Sequence, residues 1–157
     1  MPVPEYIRTV RTKIGTDLLW LPGVAAVVVS DAGEILLGRR SDFGHWASPA
    51  GVLEPGEQPA DAILREITEE TGVTARIVDL VSIESDPPVT YPNGDVSQYL
   101  SILFLCRYVS GEAHVADDES TDVGWFDPND LPDGMPPRQL ARIHRALGPR
   151  TPAWLPS

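Results

Sequence analysis

The sequence predicts a single domain of the α/β class, with helices and strands distributed along the whole chain. With 157 residues, of which 42% are hydrophobic, the chain has the length and apolar content of one domain with its own core. Runs rich in β-branched residues indicate strands, and three segments with helical apolar spacing indicate helices. We find no internal repeat and no low-complexity segment, so residues 1–157 are expected to fold as one unit.

The first predicted elements are an amphipathic helix within residues 1–15 and a β-hairpin. The stretch "PEYIRTVRTKIG" has apolar residues at helical spacing and ends at a glycine. These apolar residues are Tyr6, Ile7, Val10 and Ile14. Such a helix packs on its own domain or on a second subunit, which makes a homodimer one expectation. The next stretch, "GVAAVVVSDAGEILLGRR", has two apolar runs around a turn and is typical of a hairpin.

A long loop and a helix are predicted in the middle of the chain. The 19 residues "SDFGHWASPAGVLEPGEQP" are rich in Gly, Pro and Ser and predict an irregular loop. A loop of this length in a compact domain usually has a function. The pattern is helical from Pro59 to Thr71, because proline suits the first turn and Gly72 is a natural end.

The remaining elements are strands followed by a last helix. The stretches "ARIVDLVSIES" and "VSQYLSILFLCRYV" predict strands joined by the turn-rich "DPPVTYPNGD", and "VGWF" predicts a short strand. The stretch "PPRQLARIHRALG" predicts a helix that buries Leu140, Ile143 and Leu147. Residues 149–157 are expected to form a loosely ordered tail, which Trp154 and Leu155 could anchor.

Charge and cysteine content exclude several classes of function. Twelve Lys and Arg against 23 Asp and Glu give a net charge of −11, which repels duplex nucleic acid and anionic membranes. A small phosphate ester can still bind where divalent cations reverse the local charge. Cys106 is the only cysteine, so an internal disulfide is excluded, and its apolar run predicts a core position. The absence of a signal core and of an apolar run of ~18 residues predicts a soluble, cytoplasmic protein.

The predicted middle helix carries three acidic residues within "REITEET", namely Glu66, Glu69 and Glu70. Like-charged residues three or four apart on a helix cost ~0.2–0.5 kcal/mol per pair, so this arrangement weakens the isolated helix. One interpretation is a solvated acidic face with Arg65 as counter-ion. The other is a site for a hard cation such as Mg²⁺ or Mn²⁺, which prefers oxygen ligands. On a helical wheel the three carboxylates border the apolar stripe, and composition alone does not decide between the two.

The stretch "GVLEPGEQPADAILREITEETGV", from Gly51 to Val73, resembles the box of the Nudix hydrolases at all nine specified positions. These positions are Gly51, Glu57, Arg65, Glu66, Ile67, Glu69, Glu70, Gly72 and Val73. Nine positions at fixed spacing are very unlikely to match by chance. The resemblance implies an α/β/α sandwich with a mixed β-sheet between helices. It also implies Mg²⁺- or Mn²⁺-dependent hydrolysis of a nucleoside diphosphate linked to another moiety.

The resemblance also implies roles for individual residues. Glu66 and Glu70 correspond to the principal metal ligands, and Glu69 to a further ligand or a base acting through water. The backbone carbonyl before the box glycine is a further ligand in the family, and here it belongs to Ala50. Glu57 and Arg65 correspond to a pair that braces the loop against the helix. Many members add an acid from a later loop, for which Glu119 is the first choice here and Asp118 the second.

Candidate substrate contacts lie outside the box. Arg39 and Arg40 end the second hairpin strand and are candidates for contact with phosphate, whereas an exposed strand end is the alternative. The aromatic residues Trp46, Phe43 and Tyr91 are candidates for stacking on a base, although core packing is the commoner role.

Substrate clues from the resemblance point in two directions. Pro87 lies where ADP-ribose-hydrolysing members often have a proline, and Tyr91 lies near a tyrosine typical of dinucleoside polyphosphate hydrolases. We favour ADP-ribose or another nucleotide sugar, with dinucleoside polyphosphates or oxidised nucleoside triphosphates as alternatives. A catalytically silent nucleotide sensor and an isoprenyl diphosphate isomerase are the remaining hypotheses.

Overall fold

The computed structural model describes residues 3–155, and this part of the chain forms three helices and eight strands. In chain order they are α1 (Glu5–Ile14), β1 (Leu19–Val29), β2 (Ile35–Arg40), β3 (Trp46–Ala47), β4 (Ala50–Val52), α2 (Pro59–Thr71), β5 (Thr74–Ser85), β6 (Val89–Thr90), β7 (Val96–Ser110), β8 (Ser120–Phe126) and α3 (Pro137–Leu147). Residues 1–2 of the predicted N-terminal helix and residues 156–157 of the predicted tail lie outside the described residues.

The strands form one mixed sheet in the order β3-β2-β1-β7-β5, with β4 on β1, β6 on β7 and β8 on β2. The central pair, β1 and β7, is parallel over its whole length, and the other pairs are antiparallel. Strand β1 is buried almost continuously from Gly23 onward, as expected for a strand that is covered on both faces. The predicted hairpin is present, with Val29 opposite Ile35 across a turn that contains Gly33.

Helices cover both faces of this sheet. Alternate residues of β1 point to opposite sides, since the side-chain period of a strand is two. Val24, Ala26 and Val28 pack on one side with Ile63 and Ile67 of α2, which form the first core cluster. Ala25, Val27 and Val29 pack on the other side with Ile143 and Ala146 of α3, which form the second. This arrangement confirms the predicted α/β/α sandwich with a mixed sheet between helices.

The segment predicted as an irregular loop contains two short strands. β3 pairs with β2, and β4 pairs with β1 through Gly51 opposite Val24. The composition of this segment misled the prediction, because the sheet supplies backbone partners that local sequence does not show. The turn-rich segment after β5 likewise contains β6, which pairs with β7.

Helix α1 packs on its own domain, but only part of its predicted apolar stripe is buried. Ile7 is buried, whereas Tyr6 is 49% exposed, so the prediction was wrong for Tyr6. The main attachment is polar: Arg11 donates to the carbonyl of Val96 at 2.8 Å and to the hydroxyl of Ser97 at 3.0 Å. Within residues 3–155 no helix has the length and apolar character needed to cross a membrane.

Helix α3 and the tail are tied to the far edge of the sheet. Ile143 is fully buried, but Leu147 is 41% exposed, so the helix buries Ala146 in its place. The tail expected to be loosely ordered is attached through residues 150–155. Ile83 of β5 donates its N–H to the carbonyl of Ala153 at 2.9 Å, and Arg145 donates to the carbonyl of Leu155 at 2.5 Å. Trp154 is 77% exposed and therefore does not anchor the tail by burial.

A buried ion-pair network joins α3 to the end of β5. Asp86 is 6% exposed and accepts from Arg142 at 3.1 Å, and Arg138 approaches the same carboxylate at 3.2 Å. Ser101 donates to this carboxylate and accepts a hydrogen bond from Arg142 at 2.9 Å. Asp86 therefore balances a guanidinium that would otherwise be buried with its charge uncompensated.

We expect Asp86→Ala to lower the free energy of unfolding by about 3–5 kcal/mol, because it leaves Arg142 buried without its carboxylate. Urea denaturation followed by circular dichroism measures this loss. The exposed Asp130→Ala is the matched control and should change stability by no more than about 0.5 kcal/mol. Equal stability of the two variants would contradict a structural role for Asp86.

Candidate active site

Helix α2 carries the three acidic residues and fixes their spacing. It runs from Pro59 to Thr71, as predicted, with proline in its first turn. Gly72 ends it in the left-handed conformation, with φ of 71°, and donates its N–H to the carbonyl of Thr68. Residues 66 and 70 are one turn apart, so both face the first core cluster and the sheet behind it.

The three glutamates differ in burial. Glu66 is 2% exposed and Glu70 is 8% exposed, so the interpretation as a solvated acidic face fails for both residues. The side chain of Glu69 is 38% exposed and pairs with Arg65 at 3.1 Å. The helix therefore has two buried carboxylates on its inner side and one solvated carboxylate beside them.

Burial changes the acidity of the two inner glutamates. It raises the pKa of Glu66 to about 7, although the charge of Arg65 acts in the opposite direction. Burial also raises the pKa of Glu70 well above its ordinary value, the charges of Glu66 and Glu119 add to this effect, and Arg40 opposes it. Both carboxylates thus lie where nearby arginines compensate the ionised form only in part, and a bound cation would stabilise that form further.

Gly51 of β4 provides the space for the Glu66 carboxylate. A Cβ atom built on Gly51 would lie 2.1 Å from Cδ of Glu66 and 2.2 Å from its Oε1, so any side chain at this position would displace the carboxylate. The peptide between Ala50 and Gly51 is consequently next to the carboxylate. This position agrees with the carbonyl of Ala50 as a further candidate oxygen ligand.

Arg65 joins the loop after β4 to the helix. Its Nε and Nη2 donate to the two carboxylate oxygens of Glu57 at 2.8 and 2.9 Å, and its Nη1 donates to Glu66 and Glu69. Glu57 also accepts from the backbone N–H of Glu54 at 3.1 Å. The bidentate pair therefore holds the loop and one face of Glu66 in place.

Glu119 reaches the same region from the loop between β7 and β8. Its charge acts on both Glu66 and Glu70, and burial raises its own pKa. The carbonyl of Glu119 accepts from the N–H of Ser41 at 2.8 Å, which fixes this residue against the loop after β2. Asp118, the second choice, is exposed. Glu119 is thus near enough to α2 for its charge to act on the two buried glutamates.

The two candidate arginines lie in different surroundings. Arg40 binds both carboxylate oxygens of Asp42, at 2.8 and 2.6 Å, and is close enough for its charge to act on Glu70. Arg39 is exposed and donates to the carbonyl of Gly44 at 3.0 Å. Arg40 is therefore better placed than Arg39 to meet a phosphate near α2.

Of the three candidate aromatic residues, the fold brings Phe43 and Tyr91 together and places Trp46 elsewhere. Phe43 lies 5.7 Å from Tyr91 and 5.8 Å from His45, measured between ring centroids. The hydroxyl of Tyr91 is 2.7 Å from that of Tyr99. Trp46 instead packs its ring edgewise on Phe126 at 4.7 Å, against the second core cluster. Sequence reasoning missed His45 and Tyr99, because neither has a local pattern that brings it to these rings.

The donors fit a hard divalent cation. Within residues 3–155, no three acidic, histidine or cysteine side chains are grouped closely enough to hold a metal ion as they stand. The fit rests on Glu66 and Glu70, whose oxygens are the ligands that Mg²⁺ and Mn²⁺ prefer, and on the space at Gly51 that a Cβ would fill. Glu69 is turned toward Arg65 and contributes less directly.

The fold and the candidate site together define a class of phosphoanhydride hydrolases. Its features here are a mixed α/β/α sandwich and a helix with buried glutamates that follows a glycine-containing turn. The family model for the NUDIX domain matches residues 20–149. The chain belongs to the NUDIX family and is a pyrophosphohydrolase of that family. Hydrolases of this family generally use divalent metal ions.

Several known proteins are similar over most of this chain. A MutT-like protein from Streptomyces ambofaciens is 34% identical over 79% of this chain and 75% of its own length. The ADP-ribose pyrophosphatase of Methanocaldococcus jannaschii is 34% identical over 73% of this chain and 68% of its own. The NAD-capped RNA hydrolase NudC of Pseudomonas putida is 33% identical over 82% of this chain, which spans only 46% of that enzyme.

A solved structure supports the same fold. The crystal structure of a MutT NUDIX hydrolase from Burkholderia pseudomallei superposes with a TM-score of 0.69 at 27% sequence identity. The match covers 81% of this chain and 98% of that one.

We expect Gly51→Ala to reduce kcat on the order of 10²-fold, because the added methyl group displaces the Glu66 carboxylate and a shift of ~1 Å at a reacting centre has such an effect. Steady-state kinetics measures the loss, and thermal melting checks the fold. Gly124→Ala is the matched control, since its Cβ would meet only Phe126 at 3.4 Å. Wild-type kcat in the Gly51 variant would show that the position of Glu66 is not critical.

Proposed function

We propose that this chain hydrolyses the phosphoanhydride bond of a nucleoside diphosphate derivative, with Mg²⁺ or Mn²⁺ as its cofactor. The observation that carries the proposal is the burial of Glu66 and Glu70 on the inner side of α2, where Arg65 and Arg40 compensate their charges only in part. A purely structural helix gains nothing from two buried like charges. A helix that binds a dication needs them.

The ligand set proposed for the cation follows from this geometry. Glu66 and Glu70 are the principal ligands, the carbonyl of Ala50 is a further ligand, and Glu69 completes the set as an outer ligand or through water. When bound, the divalent ion neutralises charge on the phosphoryl group and makes water a better nucleophile. Arg65 and Glu57 keep the box loop in place, which preserves the position of Glu66.

Two further residues act on the substrate and on the attacking water. The charge of Glu119 acts on both buried glutamates, and its carboxylate is proposed to accept the proton of the attacking water as a general base. Arg40, held by Asp42, carries a positive charge next to Glu70 and is proposed to bind a phosphate oxygen. Arg39 is proposed as a weaker phosphate contact at the rim, because it is exposed. No covalent enzyme intermediate is required.

The favoured substrate is ADP-ribose or another nucleotide sugar. Pro87 supports this choice through the family resemblance, and the similar enzyme from Methanocaldococcus jannaschii bears that activity in its name. Tyr91, together with Phe43, is proposed to contact the base, since aromatic faces stack on bases without reading their edges. Trp46 was also a candidate, but its packing on Phe126 leaves it a lesser one.

One alternative substrate group has its own support. Similar proteins include a MutT-like protein, and Tyr91 resembles the tyrosine of dinucleoside polyphosphate hydrolases. Oxidised nucleoside triphosphates and dinucleoside polyphosphates therefore remain the second candidates. A silent sensor is disfavoured because the box carboxylates are complete. An isomerase that needs a reactive cysteine is disfavoured because Cys106 is fully buried and burial raises its pKa to about 12.

Replacing either buried glutamate should remove activity and leave the fold intact. We expect Glu66→Gln and Glu70→Gln each to lower kcat at least ~10²-fold at saturating Mg²⁺, because each replaces a charged ligand with a neutral amide. Steady-state hydrolysis assays with ADP-ribose measure the effect.

The exposed Glu5→Gln is the matched control for these variants and should behave as the wild type. Mg²⁺ should also raise the melting temperature of the wild type, since a ligand at 100 times its Kd adds ~2.7 kcal/mol, and should do so less in the glutamine variants. Near-normal activity of both variants at saturating Mg²⁺ would refute the ligand assignment.

A substrate panel tests the choice of nucleotide. With Mg²⁺ or Mn²⁺, we expect kcat/KM to be at least about tenfold higher for ADP-ribose than for diadenosine tetraphosphate, NADH or 8-oxo-dGTP, since a methylene-sized misfit alone costs 10-fold or more. Chromatography of the nucleotide products measures each rate. A preference for 8-oxo-dGTP or diadenosine tetraphosphate would favour the alternative substrate group. No turnover of any member of the panel would favour the catalytically silent sensor.

A further inference from the structure

The loop of residues 111–119, here called the acidic loop, caps the C-terminus of α2. The backbone N–H of His114 donates to the carbonyl of Thr71 at 3.0 Å, and that of Ala116 donates to the carbonyl of Glu70 at 3.4 Å. The last four carbonyls of a helix have no partner within the helix, so they need donors from elsewhere. The acidic loop supplies two of these donors and is thereby attached to the end of the helix that carries Glu70.

Two glycines allow this close approach. A Cβ on Gly72 would lie 2.1 Å from Cε1 and 2.5 Å from Nδ1 of His114, so the imidazole rests directly on this residue. A Cβ on Gly111 would lie 2.4 Å from the carbonyl oxygen of Gly72. The backbones of Gly72 and Gly111 thus approach each other directly, and the His114 ring covers the other side of Gly72.

The imidazole of His114 is exposed to solvent, and one of its nitrogens is bound within the acidic loop. Its Nδ1 lies 2.8 Å from the carbonyl of Glu112, which can only accept, so Nδ1–H is the donor. One side of the ring is against Gly72 and one nitrogen is bonded to its own loop. His114 therefore joins the helix end and the acidic loop by side-chain contact as well as by its backbone.

Glu119 lies five residues further along and is fixed at its own end. Its N–H donates to the Asp117 carboxylate at 3.0 Å, and its carbonyl accepts from Ser41 at 2.8 Å. Its charge acts on Glu66 and Glu70. His114 and Glu119 belong to the same short loop, so the contact of His114 with Gly72 is one of several contacts that place Glu119 relative to α2.

We infer that His114 is a positioning residue, which rests on Gly72 and holds the acidic loop so that Glu119 lies beside Glu66 and Glu70. The inference rests on the proposed function, in which Glu119 acts on the attacking water. Removal of the imidazole leaves both backbone hydrogen bonds possible, so the loop is expected to loosen while the domain stays folded. In this proposal the effect reaches the reaction through Glu119, whereas an effect through the end of α2 would persist when the Glu119 carboxylate is absent.

A double-mutant cycle tests this dependence. We expect His114→Ala to lower kcat for ADP-ribose, or for the best substrate of the panel, about tenfold, with KM within about twofold. In a Glu119→Gln background the same substitution should cause no further loss, since residues that act as a unit are not additive. His114→Phe, which keeps a flat ring on Gly72, should recover part of the loss. His144→Ala, at an exposed histidine of α3, is the matched control.

Hydrogen exchange measured by mass spectrometry gives a readout that does not depend on activity. We expect faster exchange in residues 112–118 of His114→Ala, and unchanged exchange there in His144→Ala, with similar melting temperatures. Unchanged exchange in the His114 variant would overturn the inference. So would an equal loss of kcat in the presence and absence of the Glu119 carboxylate, because it would show a general structural effect.

The proposed hydrolase function and the positioning role of His114 can fail separately. If the wild type hydrolyses no member of the panel, the proposed function fails, and the exchange experiment alone then supports or overturns the hold of His114 on the loop. If the wild type is active and His114→Ala matches it in both kcat and exchange, only the positioning role is refuted.

Discussion

Two like-charged carboxylates buried one turn apart on α2 are the constraint around which this molecule is built. Burial of a charge is unfavourable unless a partner compensates it, and the surroundings of Glu66 and Glu70 compensate them only in part. Arg65 approaches Glu66 from one side, and Arg40 acts on Glu70 from a distance. The sandwich around them must therefore be stable enough to hold a locally unfavourable arrangement, as functional sites often require.

The rest of the fold contributes to this arrangement from several directions. Strand β4 brings a glycine to the point where a side chain would collide with Glu66. The box loop is held by Glu57, the β2–β3 loop by its bond to Glu119, and the acidic loop by the end of α2. None of these segments is regular structure over its whole length, yet each ends on a strand or helix of the central sandwich. The helices and strands of the domain thus fix the position of the irregular segments that carry the candidate site.

Local sequence patterns correctly predicted the elements that have clear end signals or long apolar runs. Helix α2 begins and ends where its proline and glycine indicated, and the long apolar runs became β1, β5 and β7. The predictions failed where distant partners decide. Gly51 and its neighbours form a strand because β1 offers them backbone groups, and Tyr6 stays exposed because Arg11, rather than an apolar stripe, attaches its helix.

The same limit applies to the candidate site. The box motif identified three glutamates, but periodicity could not show that Glu69 turns to Arg65 while its two neighbours are buried. Burial of a helix face depends on the angle at which the helix meets the sheet, which no local pattern encodes. The contact between Gly72 and His114 is a clearer case, since it joins residues 42 positions apart in the chain through the packing of one loop.

The attachment of the tail to β5 also has a consequence for how copies of this chain behave in concentrated solution. β5 is the last strand of its sheet, and Val78, Leu80 and Ile83 on it are each about two-fifths exposed. Uncovered edge strands with apolar side chains are templates for pairing between molecules. The carbonyl of Ala153 accepts a hydrogen bond from the N–H of Ile83, and Arg150 forms an ion pair with Asp79. By covering part of the β5 edge, Arg150 and Ala153 should reduce edge-to-edge pairing between molecules.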